Sequence, residues 1–229
     1  MTTPALDLVA LDMAGTTVDE GGLVYEVLAA TVADAVGEAV PGPLLASWKG
    51  TSKSEAIAGL LADLGADASE GHVRVVHDAF TERLIATYRA TPPTPFAGIV
   101  EMFEVLRETG VKVCLQTGYT AEIAASILDG LDWPTSGDSA LIDAVVTSDL
   151  VPTSRPAPYL VFRCLEATGV TDIRRVLVAG DTPNDLLAGT NAGAGYVLGV
   201  GTGSFSLDQL AEHPHTHLLH SAAELTTLA

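Results

Sequence analysis

Basic residues and cysteine are what this chain has least of. Eleven Lys and Arg stand against 29 Asp and Glu, a formal net charge of -18, and so acidic a surface repels the phosphates of nucleic acid and of anionic membranes. Neither nucleic acid nor a membrane is expected as a partner. An anionic substrate is repelled as well unless its site is locally positive, which singles out the few cations near motifs, Lys53 and Arg155. Cys114 and Cys164 are the only cysteines, and both lie inside apolar patterns. That excludes a disulfide framework and a cysteine-built zinc centre. The start, Met1-Thr2-Thr3-Pro4, has no basic segment followed by an apolar one, and no stretch reaches the roughly 18 apolar residues of a membrane span. The expectation is a soluble, cytoplasmic protein. Internal repeats and low-complexity tracts are also absent.

What is present alternates. Short apolar runs at 6–11, 111–115, 144–146, 176–179 and 196–200 are mostly separated by helical patterns, the signature of an α/β fold with a parallel sheet. The gap between the first two runs, roughly a hundred residues, far exceeds one crossover helix. Apolar residues at helical spacing fill it at 25–36, 44–64 and 70–88, with Gly and Pro marking turns. The gap therefore reads as an inserted helical bundle, entered near Gly21-Gly22 and left at the stiff Pro92-Pro93-Thr94-Pro95. An amphipathic helix at 99–107, ended by Gly110, leads into the second strand. The expected architecture is a Rossmann-like core of residues 1–17 and 95–229 carrying an all-helical cap at 18–94.

Each strand is followed by polar residues. The first stops at Asp12, the second at Thr117-Gly118-Tyr119, and the third precedes Asp149 and Arg155. The fourth ends in Gly180-Asp181-Thr182-Pro183-Asn184-Asp185. In an open parallel sheet these ends share one rim, and ligands bind where the strand order reverses. With the order 3-2-1-4-5, Asp12 and Asp181 sit on adjacent strands. Facing carboxylates repel unless a cation lies between them, and hard oxygen ligands suit Mg²⁺. A phosphoryl group there needs neutralised oxygens and an in-line attacking atom. Arg155, Thr117 and the metal serve the first need and Asp12 the second, through an aspartyl-phosphate.

The sequences Asp12-Met13-Ala14-Gly15-Thr16, Thr117-Gly118, Arg155-Pro156 and Gly180-Asp181 with Asp185 together resemble the four motifs of the haloacid dehalogenase superfamily. The resemblance covers the whole chain and implies a hydrolase with Asp12 as nucleophile. It also implies Mg²⁺ held by Asp12, the Ala14 carbonyl and Asp181, with Asp185 supporting from behind. Family members normally carry an acid at position 14 to protonate the leaving group; alanine stands there. Asp12-x-Ala14-Gly15-Thr16-Thr17-Val18-Asp19 and Thr117-Gly118-Tyr119-Thr120 are similar to the phosphonatase branch, the phosphonoacetaldehyde hydrolases, in which a cap lysine forms a Schiff base with the substrate aldehyde. Lys53 occupies that position. A protonated imine beside the C–P bond accepts the electrons released on cleavage, so no acid is needed at position 14.

Three groups of that branch are replaced here: its cap histidine by Ala56, a hinge cysteine by Gly22 and a methionine by Lys49. Like-charge repulsion from Lys49 is expected to lower the pKa of Lys53. Lys53 has two further readings, a grip on a substrate phosphate and a plain solvated lysine. Tyr119 either faces substrate or packs on the hinge. His213, His215, His217 and His220 lie in a loop and short strand with no carboxylate or cysteine pattern to complete a metal site. Asp19 and Glu20 read as a solvated turn. The leading expectation is C–P bond hydrolysis of a small phosphonate. The alternatives are a phosphatase acting on a small phosphate ester and a binding or regulatory protein that has lost catalysis. The resemblance also implies a homodimer formed through the cap.

Overall fold

A computed structural model describes residues 6–135 and 140–227; the remaining parts of the expected domain bounds, 1–5, 136–139 and 228–229, lie outside the described residues. Six strands form one parallel sheet: β1 (Leu8–Asp12), β4 (Lys112–Gln116), β5 (Ala144–Val146), β6 (Val176–Gly180), β7 (Tyr196–Val200) and β8 (His217–Leu219). Their order is β5-β4-β1-β6-β7-β8. This is the anticipated order with one short strand added at the edge. Asp12 pairs in register with Gln116, and Leu11 with Ala179.

The run Leu8-Val9-Ala10-Leu11 is continuous because both faces of β1 are covered. Leu8 and Ala10 join one apolar cluster with Leu160, Val161 and Cys164 of α7 (Tyr159–Thr168). Val9 and Leu11 join another with Met102 and Phe103 of α5 (Ile99–Glu108) and Ile123 of α6 (Ala121–Leu131). A central parallel strand buried in this way shows no polar alternation. The sheet is completed by α8 (Pro183–Ala192) and the short α9 (Leu207–Leu210). No helix among the described residues is long and apolar enough to cross a membrane.

The long gap holds four helices: α1 (Leu23–Val36), α2 (Gly42–Ser47), α3 (Lys53–Asp63) and α4 (Glu70–Ala90). They enter and leave through a two-stranded antiparallel ribbon, β2 (Val18–Asp19) with β3 (Thr94–Pro95). Leu28, Ile57, Leu60, Phe80 and Leu84 fill the space between α1, α3 and α4, and this core is continuous with one face of the sheet. The single helix expected over 44–64 is two. Ser52 starts α3 with a capping box, accepting from the Glu55 amide while Glu55 accepts from the Ser52 amide. That exchange satisfies the free donors of a new helix and separates it from α2.

Candidate active site

The residues expected to do the chemistry come to one place. Asp12, Ala14, Lys53, Thr117, Gly118, Tyr119, Arg155, Asp181 and Asp185 line a single small pocket. Asp12 ends β1 and Asp181 follows β6, its neighbour, while Thr117 follows β4 on the other side. Asp149 does not join them. Its carboxylate accepts from the Ala121 amide at 3.1 Å, at the start of α6.

Carboxylates dominate the floor. One oxygen from each of Asp12, Asp181 and Asp185 lies within 4.8 Å of the others, and all three residues are buried. Burial, then the charge of Asp12, pushes the Asp181 carboxyl up to about 7. The Ser204 amide donates to Asp181 at 2.6 Å and opposes that rise. Asp185 has a structural duty as well, since it closes the capping box of α8 with Thr182, whose Oγ1 and amide both donate to it. An all-oxygen, crowded, buried donor set that repels itself fits a hard divalent cation. Asp12, Asp181 and Asp185 are the side chains able to hold one.

Arg155 is the positive counterpart. Its Nη1 donates to Asp12 at 2.8 Å and also to Asp185. The guanidinium is buried, and its Nε has no partner among the described residues. A planar donor so placed, in the same pocket as Thr117 and Gly118, suits the oxygens of a phosphoryl group.

Lys53 opens α3 and lines the pocket from the insert. It is 6% exposed, and its Nζ lies 5.1 Å from the Tyr25 ring centroid and 5.5 Å from that of Tyr119. This burial removes the solvated reading of Lys53. Desolvation, and after it the charge of Arg155, lowers the ammonium to about 8. The expected cause, Lys49, is not the one at work. Lys49 instead stacks its Nζ 4.7 Å from the Tyr25 ring, and its carbonyl accepts from Asn184 at 2.8 Å.

Tight contacts press the segment carrying Lys53 onto the core. A side chain on Gly118 would meet the Thr51 carbonyl oxygen at 2.6 Å, so glycine there lets the two loops touch. Glu55, two residues beyond Lys53, accepts from the Ser154 amide at 3.2 Å, next to Arg155.

Three site residues escaped the sequence reading. Tyr25 forms a wall of the pocket, and Tyr88 hydrogen-bonds Tyr119 at 2.9 Å. Both sit on helices at ordinary core spacing, so nothing in the pattern separates them from packing residues. Glu20, read as part of a solvated turn, is buried and accepts from the Val24 amide at 2.7 Å, from the Gly22 amide at 3.1 Å and from the Tyr88 hydroxyl at 3.2 Å. Asp19 is exposed as expected. Its neighbour turns inward because the free amides at the start of α1 recruit the carboxylate.

Comparison with known proteins agrees with this geometry. A family model described as haloacid dehalogenase-like hydrolase matches residues 6–193. A phosphonoacetaldehyde hydrolase of Parabacteroides distasonis is 30% identical over 138 residues, which cover 60% of this chain and 50% of the relative. One of Bacillus cereus is 31% identical over 144 residues, 61% of this chain and 50% of its own. The chain spans about half the length of these curated relatives. Among solved structures, a phosphonoacetaldehyde hydrolase-like protein of Oleispira antarctica shares the fold, with a TM-score of 0.80 and 22% identity over 98% of this chain and 91% of that one. With its sheet, its acidic strand tips and a family model over most of its length, the chain belongs to the haloacid dehalogenase-like hydrolases.

Proposed function

We propose that the protein hydrolyses the C–P bond of a small phosphonate bearing an aldehyde, a compound like phosphonoacetaldehyde, with Asp12 as nucleophile and Lys53 as imine-forming amine. The observation that carries this reading is Lys53. Its amine is buried in the pocket that Asp12 lines, has no ion-pair partner among the described residues and is lowered to about 8. Ala14, where a leaving group would need a proton, has none to give. The names of the curated relatives support the same substrate class.

The Lys53 ammonium gives up one proton, the neutral amine adds to the aldehyde carbon, and the hydroxyl leaves as water after taking one proton back, leaving a protonated imine. Asp12 then attacks phosphorus as the C–P bond breaks, and the bonding electrons pass into the imine to give an enamine on Lys53. Water splits the resulting aspartyl-phosphate, and a second water releases the aldehyde from Lys53. Arg155 and Thr117 hold the phosphoryl oxygens through this transfer. Asp12, Asp181 and the Ala14 carbonyl would hold Mg²⁺, with Asp185 behind them, and when bound the ion supplies positive charge against the carboxylates and the phosphoryl group. Withdrawal of the insert from the core would admit substrate, and its return would exclude water.

The rival reading is a phosphatase on a small phosphate ester. The pairing of Arg155 with Asp12 and Asp185 favours it, because this cradle needs nothing from Lys53. Phosphate release from phosphonoacetaldehyde and from a panel of phosphate monoesters, with Mg²⁺ present, separates the two. Phosphonate turnover exceeding every ester is the expected result. Ester turnover with none from the phosphonate would replace the proposal by its rival.

A further inference from the structure

Behind the wall of the pocket runs a chain of buried oxygens that the phosphoryl chemistry does not use. The Tyr119 hydroxyl lies 2.9 Å from the Tyr88 hydroxyl, which in turn lies 3.2 Å from Glu20. Three separate parts of the molecule supply it. Glu20 follows β2 in the linker, Tyr88 comes from the last turn of α4, and Tyr119 comes from the turn after β4. All three residues are buried, and Tyr119 alone reaches the pocket, where Lys53 stands over its ring.

The order of donors is fixed by chemistry. An ionised carboxylate only accepts, so Tyr88 must donate to Glu20, and its one proton is then spent. Tyr119 must therefore donate to Tyr88. That leaves a lone pair of the Tyr119 oxygen for a donor arriving from the pocket. With Glu20 protonated the same chain runs in reverse, and Tyr119 offers its proton to the pocket.

We propose that Glu20 is the proton reservoir for imine formation at Lys53, taking one proton through Tyr119 and Tyr88 and returning it along the same path. This rests on the imine reading of Lys53. The proton balance of the step gives such a store its use. The Lys53 ammonium must lose one proton before its nitrogen attacks the aldehyde, and the C–N bond then forms as the carbonyl oxygen takes a proton from that nitrogen. When the C–O bond breaks, the hydroxyl leaves as water only after receiving one more proton. The net change is ammonium plus aldehyde to protonated imine plus water, so the proton first removed is the one finally used. Burial raises the Tyr88 and Tyr119 phenols, which disfavours a tyrosinate at either and suits passage in one concerted shift. It also raises the Glu20 carboxyl, bringing it closer to the proton affinity such exchange needs. Where the phosphonatase branch has a cap histidine, this chain has Ala56, itself packed in the core. Glu20 fills the role from another direction.

The test uses the full chain with Mg²⁺, phosphonoacetaldehyde and borohydride, following the rate at which Lys53 is labelled. Hydrolysis of an aryl phosphate, whose leaving group needs neither an imine nor a proton, is measured beside it. Tyr88→Phe keeps the ring and cuts the chain; Glu20→Gln keeps the shape and removes the base. In both variants labelling and phosphonate turnover are expected to fall by about a hundredfold, at least ten times more than aryl phosphate hydrolysis falls. Labelling at the wild-type rate would overturn the reservoir, and so would equal losses in both activities, which mark a merely structural role. No label on wild-type Lys53 would overturn the imine reading itself and the reservoir with it.

Discussion

Arg155 Nη1 stands 2.8 Å from the Asp12 carboxylate, and the same nitrogen reaches Asp185. One guanidinium thus ties Asp12, the proposed nucleophile at the tip of β1, to the cap of α8. Pairing in this buried setting holds the Asp12 carboxylate in place, and under the proposed reaction the same fork would be available to the phosphoryl oxygens. Asp12→Asn retains an acceptor for Arg155 but cannot form an acyl phosphate. Phosphate release is expected to fall by at least about 10³-fold while the melting temperature holds, as measured by steady-state assay and thermal shift.

The proposed metal requirement is tested at Asp181. Its carboxyl, raised to about 7 by burial and by Asp12, binds a proton that a cation must displace. Magnesium affinity is therefore expected to strengthen as pH rises through about 7. Asp181→Asn removes the repulsion, and so it should raise the melting temperature of the metal-free protein at pH 8 and abolish the further rise that Mg²⁺ gives to the wild type. Calorimetric titration with Mg²⁺ at several pH values measures the affinity, and thermal scans with and without Mg²⁺ measure the melting temperatures.

Lys53 gives a pH dependence of its own. Its folded value of about 8 lies below the 10.5 of an ordinary lysine. Between those values the unfolded chain binds more protons than the folded one, so stability gains as pH rises across that window, and the cost of burying the ammonium is fully present below it. Lys53→Met should accordingly melt higher than wild type at pH 7, with the advantage shrinking toward about pH 10. Phosphonate turnover in the wild type should rise with pH through about 8, where the amine becomes neutral. Lys53→Arg should remove that turnover at every pH.

Glu55 joins the insert to the loop of Arg155. Its side chain closes the capping box of α3 and accepts from Ser154. Glu55→Ala should lower stability by about 1 kcal/mol through the lost cap. It should also raise KM for the phosphonate, because Lys53 and Arg155 then lose a shared anchor. Urea denaturation and a kinetic comparison with wild type check the two effects separately.

Much of this site was legible in the sequence because its residues sit where strands end. An apolar run stopping at Asp12 or at Gly180-Asp181 declares both the strand and its tip, and the parallel order then places them side by side. What stayed hidden is contributed by long-range packing. Tyr25 and Tyr88 occupy apolar faces of α1 and α4 at helical spacing, and only the approach of α4 to the turn after β4 turns one of them toward Tyr119. Glu20 looked solvated beside Asp19 because its partners, two amides at the start of α1 and a hydroxyl far along the chain, carry no local signature. The break between α2 and α3 did leave a signal, Ser52-Lys53-Ser54-Glu55, the Ser-x-x-Glu pattern of a capping box. Helical apolar spacing on both sides of it, at 44–48 and 56–64, masked it.

The central claim is that the Lys53 nitrogen bonds to the carbon of the substrate. Borohydride reduction of the wild-type enzyme during turnover of phosphonoacetaldehyde, followed by mass spectrometry of the peptide containing Lys53, reads that bond directly. A two-carbon adduct on Lys53, formed only when substrate is present, is the predicted result. Undiminished phosphonate turnover with Lys53 unmodified would contradict it.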